Sequence, residues 1–501
     1  MTEPFELERV TPLLAALTDR AAAAGLYLIA RAQEHRSYLV VVNNGRTEEV
    51  VSSRTAGIGL HVFTDEGICA FGSTDGFRPG PVLDLLDRTA GAARAAHKLG
   101  AAANLGFLHA APTRARLPSA GRVPIEAVSL SEVERQALEL NGELRSLGTG
   151  LAARTSLSLE REEWRVARSD GTDAAWIVPR FTAIQSATAG GPGASEGAFT
   201  CRATVSSPHY DALRESGTAR RLALRARTAA RRAADLPAAA KLPASRGVAL
   251  LIDYALAKGL AHEAFGHAAE ADQFRSSVLA RDGRFRRGER VGSDGVSVID
   301  EPIRGDHADQ PVSANGESRQ RVEIVRSGVL AEALTDMFSA RTAGLEPKGC
   351  ERAESYRCAP LPRMSNMRIE ISGAGTLPRP FEEMSIEEIR DLMGESGVLD
   401  RHSRVIYLAG YTGGQVNPIQ GDFVFNCQAL YELTARSATM FRPSSFRGSV
   451  LAALASLQRG FGPLQLDAIG SCGKWGQSVP SSGGSHALVL FEPDERIGLG
   501  T

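Results

Sequence analysis

The sequence predicts an α+β protein of two domains. These are an N-terminal mixed α/β meander domain, residues 1–236, and a C-terminal, mostly antiparallel β domain, residues 237–501. Three observations carry that expectation. The chain has 501 residues, more than one ordinary hydrophobic core covers. Short β-rich runs punctuated by turn formers alternate with Ala-rich stretches of helical spacing. Finally, Pro237 and Pro243 break a long helical pattern near the middle of the chain, in Leu236-Pro237-Ala238-Ala239-Ala240-Lys241-Leu242-Pro243.

Taken in order, residues 7–24 place apolar side chains at helical spacing and stop at Gly25, a C-terminal cap. Runs 27–30, 38–42, 49–52 and 58–63 read as short strands. The turns Asn43-Asn44-Gly45 and Asp65-Glu66-Gly67 join such runs into an antiparallel meander. Helical patterns follow at 81–98 and 131–146, then strands at 156–167 and 175–186, then a Gly-rich loop at 187–197. Residues 211–234 carry Arg214, Arg220, Arg221, Arg225, Arg227, Arg231 and Arg232 on an Ala-rich helical pattern. Such a helix either contacts nucleic acid or is a solvated or interface helix. The formal net charge of −1, from 57 Lys plus Arg against 58 Asp plus Glu, favours the second and gives no nucleic-acid partner.

The same composition, 43% apolar and 23% charged, is that of a soluble globular chain. The acidic start of the chain lacks the basic region and apolar run of a secretory signal. Residues 247–261 come nearest to a membrane span, and Asp253 and Lys258 interrupt them, so no membrane association is expected. Six scattered cysteines without such a signal read as reduced thiols of a cytoplasmic protein.

After the prolines, Gly247-Val248-Ala249-Leu250-Leu251 reads as a buried strand and residues 254–272 as the helix behind it. That helix carries His262-Glu263-Ala264-Phe265-Gly266-His267, an H-E-x-x-x-H pattern one residue longer than the H-E-x-x-H of most zinc peptidases. Two imidazoles can hold a divalent metal, and the adjacent carboxylate can take a proton from the water that the metal activates. In a regular helix five steps of about 100° leave the two His about 140° apart, pointing away from one metal. The competing reading is therefore a helix with one surface His and one core His. A π-type turn restores a common face, and weakly helical Gly266 makes it cheap, so a non-α turn is predicted near Phe265 and Gly266. A third ligand is open between Glu270 or Asp272 on the same stretch and Cys472, which sits among glycines beside Lys474, a cation that favours thiolate.

Read together, these segments resemble the TldD/PmbA family of metallopeptidases, in its TldD-like, metal-binding branch. The resemblance adds Glu354-Ser355-Tyr356-Arg357, Leu361-Pro362-Arg363-Met364-Ser365-Asn366, Gly413-Gly414-Gln415-Val416-Asn417-Pro418 with Gly421-Asp422-Phe423-Val424-Phe425, and Cys472-Gly473-Lys474 with Gly476-Gln477-Ser478-Val479-Pro480. These blocks follow the family order through the C-terminal half, and the N-terminal half is similar in outline only.

The resemblance implies His262, His267 and Cys472 as ligands of one Zn2+ per chain. It implies Glu263 as the general base and gives Glu270 a supporting place behind an imidazole. It also implies hydrolysis of peptide bonds in unfolded or extended peptides, including the maturation of peptide natural products. The expected assembly is a two-fold dimer, either a homodimer or a heterodimer with a motif-lacking paralogue.

Candidate substrate contacts are Arg363, Asn366, Gly413, Gly414 and Gln415, with Arg363 and Asn366 either reaching the substrate cleft or tying strands together. The glycines either receive an extended peptide by strand addition or form a bulge needed for sheet packing. Ser313-Ala314-Asn315-Gly316 stands where relatives have Asp-Asp-x-Gly, and Ala268-Ala269 where they have Gly-Leu. These departures bear on the substrate rather than the chemistry. Alternative readings are an amide hydrolase acting on a small natural-product intermediate and a non-catalytic partner subunit.

Overall fold

Strands Tyr27–Asn43 and Arg46–Phe63 pair antiparallel along their whole length, in the computed structural model that describes residues 5–100, 103, 111–190, 197–417 and 419–500. Asn44 (φ 51°) and Gly45 (φ 81°) form the two-residue turn between them, the left-handed pair that matches strand twist. Four short runs expected from the sequence are thus the ends of two long strands. The stretch between the first two runs, Arg31 to Ser37, lacks apolar alternation, yet it is paired on both sides, by Arg46–Phe63 and by Ala152–Arg168. Its polar groups are covered by the C-terminal half: Arg31 Nη1 donates to Asn315 Oδ1 at 3.0 Å, and Gln33 Oε1 accepts from the Tyr356 amide at 2.9 Å. A strand buried through polar contacts leaves no apolar period to read.

The sheet runs in the order Cys69–Asp75, Arg46–Phe63, Tyr27–Asn43, Ala152–Arg168, Asp173–Ala189 and Arg114–Leu117, with Phe199–Ser207 also on Asp173–Ala189. Helices Thr11–Ala23 and Pro79–Lys98 cover one end through Leu14, Leu17, Leu28, Leu60 and Leu86. Pro12, intolerable inside a helix, sits in the first turn of Thr11–Ala23, so the segment before it is a separate 3-10 turn, Glu6–Val10. Helices Leu130–Ser146 and Ser216–Asp235 cover the other end. The expected loop at 187–197 is shorter, because the strand continues to Ala189; residues 191–196 lie outside the described residues.

The C-terminal half holds a ten-stranded, mostly antiparallel sheet whose middle is Gln477–Phe491, Ala249–Asp253 and Val405–Ala409. A five-stranded sheet lies beside it, with Gly413–Asn417 as an edge strand. The architecture is α+β in two parts that share a core. Leu157 and Phe181 of the first sheet belong to one buried cluster with Leu251, Tyr407 and Leu488 of the second. No helix among the described residues is long and apolar enough to cross a membrane.

Candidate metal centre

Strand Ala249–Asp253 hands over directly to helix Tyr254–Leu260 because Asp253 caps it, its carboxylate accepting from the Leu256 amide at 3.0 Å. The other oxygen of Asp253 accepts from the Tyr407 hydroxyl (3.2 Å) and the Gly410 amide (2.8 Å). The helix start is therefore pinned to the neighbouring strand. The helix expected over 254–272 is broken into four pieces, the last a 3-10 turn at Ala271–Gln273. Regular α geometry ends at Leu260, Ala261–Gly266 is a π-helix, and His267–Ala269 is a 3-10 turn.

The extra residue of H-E-x-x-x-H is absorbed in the π-helical stretch, which widens the turn. The two imidazole centroids are 5.1 Å apart and the rings nearly perpendicular, at 86°. Gly266 has a second reason to be glycine: an added Cβ would meet Met364 Sδ at 1.8 Å.

Cys472 reaches this turn from the long strand Leu457–Lys474, which pairs with Gln477–Phe491 through a hairpin tip at Trp475 (φ 51°) and Gly476 (φ 75°). Its Sγ is 3.3 Å from His267 Nε2. One donor atom from each of His262, His267 and Cys472 lies within 4.8 Å of the others. His262 is buried, at 1% exposure, and neither ring nitrogen has a hydrogen-bond partner among the described residues. A buried imidazole with two orphaned nitrogens is costly unless an ion completes it. Two imidazole nitrogens and one thiolate sulfur form a donor set that suits zinc with a further position open. The residues present therefore fit the metal that the sequence implies.

Around the donors stands a second layer. Glu263, its side chain 20% exposed, places a carboxylate oxygen 3.7 Å from His267 Nε2. Glu270 is fully buried and accepts from His267 Nδ1 (3.0 Å), Lys474 Nζ (2.9 Å) and Gln273 Nε2 (2.9 Å). With Nδ1 turned to Glu270, Nε2 is the nitrogen that faces Cys472 and would take a metal. Asp272, the rival ligand on this stretch, instead pairs with Lys474 at 2.8 Å. Lys474 is thus committed to two carboxylates and the Pro362 carbonyl (3.0 Å). The expectation that it favours the thiolate gives way to a different source of charge, the imidazoles.

Burial alone would raise the Cys472 thiol, but His262 and His267 bring it down to about 4. Burial likewise works against charge on His267, and Glu270 and Cys472 outweigh it and hold His267 well above the usual imidazole range. Glu270 is pulled down to about 2, against its burial, chiefly by His267 and Lys474. Glu263 moves the other way: burial raises it and outweighs the lowering by His262 and His267, with Cys472 and Glu270 adding to the rise. A carboxyl raised in this way is a better proton acceptor and donor near neutrality than an exposed one.

The remaining candidates divide. Arg363 is 1% exposed, and its Nη2 donates to the Cys472 carbonyl while its Nε stands 3.9 Å from Glu270. Asn366 is fully buried and donates to Asp306 Oδ1 at 3.3 Å. Neither reaches an open surface: Arg363 lies behind the centre, and Asn366 ties its strand to Asp306. Gly413, Gly414 and Gln415 lie on the edge strand, with Gln415 exposed. A Cβ at Gly414 would meet Phe425 at 2.1 Å, so packing alone demands that glycine. Tyr411 was not legible as a site residue: its ring lies on the bare backbone of Gly259, four residues before Glu263, where a Cβ would be 2.5 Å away.

Comparison with known proteins adds independent findings. A family model described as the PmbA/TldA metallopeptidase central domain matches residues 123–236, and one described as the PmbA/TldA metallopeptidase C-terminal domain matches residues 245–465. Cys472 lies beyond the matched span. The chain is 33% identical over 248 residues to a metalloprotease of Archaeoglobus fulgidus, covering 49% of this chain and 52% of that protein. It is 29% identical over 239 residues to a zinc metalloprotease TldD homolog of Saccharolobus solfataricus, covering 46% and 47%. The chain spans about half the length of the curated relatives it matches. Over nearly the whole chain the fold is similar to TldE from Thermococcus kodakarensis, with a TM-score of 0.72 at 12% identity, covering 99% of this chain and 100% of that one. At that identity the likeness is one of fold.

Proposed function

This chain belongs to the PmbA/TldD family of metallopeptidases, and from that membership we propose that it hydrolyses peptide bonds in unfolded or extended peptides, with Glu263 as the general base. The observation that carries the reading is the convergence of His262, His267 and Cys472 around one point, with Glu263 beside it. One zinc ion per chain is the proposed metal, in keeping with the name of the Saccharolobus relative.

Zinc, when bound, supplies a Lewis acid for the scissile carbonyl and for water. Glu263 removes the proton from the attacking water and returns it to the leaving amine. Glu270 fixes the His267 ring, and Lys474 and Arg363 hold Glu270 and the Cys472 backbone in place. The free edge of Gly413–Asn417 offers unpaired backbone groups to an extended peptide, which would give weak sequence selectivity. Residues 1–236 form the other wall of the cleft and contribute to a two-fold dimer. That dimer forms with a second copy or with a motif-lacking paralogue, and the TldE-like fold supports the second arrangement.

The test is metal content together with peptide cleavage. Purified protein should carry about one zinc per chain and lose it in Cys472→Ala. Glu263→Ala should keep the metal and lose about 10²–10⁴-fold in hydrolysis. Zinc-free wild-type protein, or full cleavage by Glu263→Ala, would reject the assignment.

A further inference from the structure

The arginine-rich helix Ser216–Asp235 turns one stripe inward. Arg225, Thr228, Ala229 and Arg232, at i, i+3, i+4 and i+7, line one wall of a cavity of about 390 Å³, within the size range of small-molecule sites. Tyr254 and Lys258, on the helix that leads to His262, line another wall, and Asp467 and Ser471 come from the strand that carries Cys472. Tyr411 lines it too, and the charges of Glu263 and Cys472 act on its phenol. The cavity therefore abuts the metal centre through Tyr411.

Several charges on its walls are matched, while Arg202, which is exposed, has no ion pair among the described residues. Asp467 accepts from Arg225 at 2.9 Å and from Lys258 at 3.3 Å, and Glu382 accepts from Arg225 at 3.1 Å. Asp253 has its hydrogen bonds filled by neutral donors, the Leu256 and Gly410 amides and the Tyr407 hydroxyl, and its charge acts on Arg232. Arg232 differs. Its guanidinium has no ion pair among the described residues, and its Nε is buried without a partner. The groups facing it are the phenols of Tyr407 and Tyr431 and the occupied Asp253. Ile184, Phe381, Met384 and Ile389 add apolar lining.

A guanidinium without a direct ion pair, on the wall of a partly apolar cavity, suits a singly charged, planar anion with an apolar body, because a carboxylate meets it bidentately. Asp253 and Asp467 on the same walls oppose a doubly charged phosphate more than a singly charged carboxylate. We propose that this cavity is a substrate subsite that takes a carboxylate-bearing end of a peptide, with Arg232 as its anchor. The substrate class, though not the cavity, rests on the peptidase reading above.

The test measures binding without cleavage, by calorimetry on zinc-loaded Glu263→Gln protein. The probes are N-acetyl-Leu-Leu-Phe as the free acid and as its C-terminal amide. The free acid should bind about tenfold or more tighter, the scale of a charged hydrogen bond, and Arg232→Met should bring it to the affinity of the amide. Equal affinities before the substitution, or a preference that survives it, would overturn the proposal.

Should Arg232→Met fail to fold, Ala229→Leu fills the cavity from the same stripe and should weaken both probes. Undiminished binding there counts against the subsite. Inorganic phosphate displacing the acid at lower concentration than acetate would overturn the carboxylate assignment. Wild-type cleavage of the same peptides is scored separately. Its absence, with the acid preference intact, rejects the peptidase reading and leaves the subsite standing.

Discussion

Glu270 has no solvent contact and is held by a histidine, a lysine and a glutamine, so its charge is fixed by its neighbours rather than by water. Glu270→Gln keeps the shape but removes the charge that holds His267 in its metal-binding tautomer. Zinc affinity should fall about 10–100-fold, read by competition with a chromophoric chelator, and unchanged affinity would remove Glu270 from this role.

A second buried carboxylate tests folding instead of chemistry. Burial opposes charge on Glu34, but hydrogen bonds and charge from Arg54 and Arg36 bring it from the ordinary 4.5 to about 2. A depressed carboxyl stabilises the fold above its unfolded value and loses that contribution as pH falls through the folded one. Stability should therefore decline between about pH 4.5 and 2, and Glu34→Gln should flatten that decline while lowering stability at pH 7. Denaturant titrations at several pH values decide it, and an identical acid slope in the variant would exclude Glu34 as its source.

At the level of elements, the π-helix Ala261–Gly266 is the feature on which the donor set turns. It follows a capped, seven-residue helix and ends against Met364. Gly266→Ala would force the Met364 thioether aside or tilt the turn, costing about 1–3 kcal/mol of stability by overpacking. Because the same tilt moves His267 relative to Cys472, zinc binding should weaken along with the melting temperature. Lost stability with metal affinity intact would show that Met364 yields without disturbing the turn. The edge strand Gly413–Asn417 shows the opposite economy: Phe425 explains Gly414 by packing, and the strand ends its sheet.

At the scale of the whole molecule, assembly has a direct readout. Light scattering should give about twice the 53.2 kDa chain mass for a homodimer, or the chain mass rising on addition of a motif-lacking paralogue. A mass that stays at 53.2 kDa in both conditions rejects the dimer.

Much of the site was legible in residue order. The spacing of His262 and His267 called for a non-α turn, because helical geometry is local and arithmetic on it needs no tertiary contact. Glycines 25 and 45 marked their turns for the same reason. Cys472 was only one of several possible third ligands until the family pattern pointed to it, since no local rule links residues 205 positions apart. The long polar strand through Arg31, the true partners of Lys474, the burial of Arg363 and the inward stripe of the arginine helix were not legible. Each depends on which distant surface covers the side chain, and hydropathy records a residue's preference for burial but not the partner that makes a buried charge tolerable. The chain order thus determined the α+β class and pointed to a non-α turn at the H-E-x-x-x-H segment. Tertiary packing alone decided which charges are matched, and it left Arg232 facing a cavity without an ion pair among the described residues.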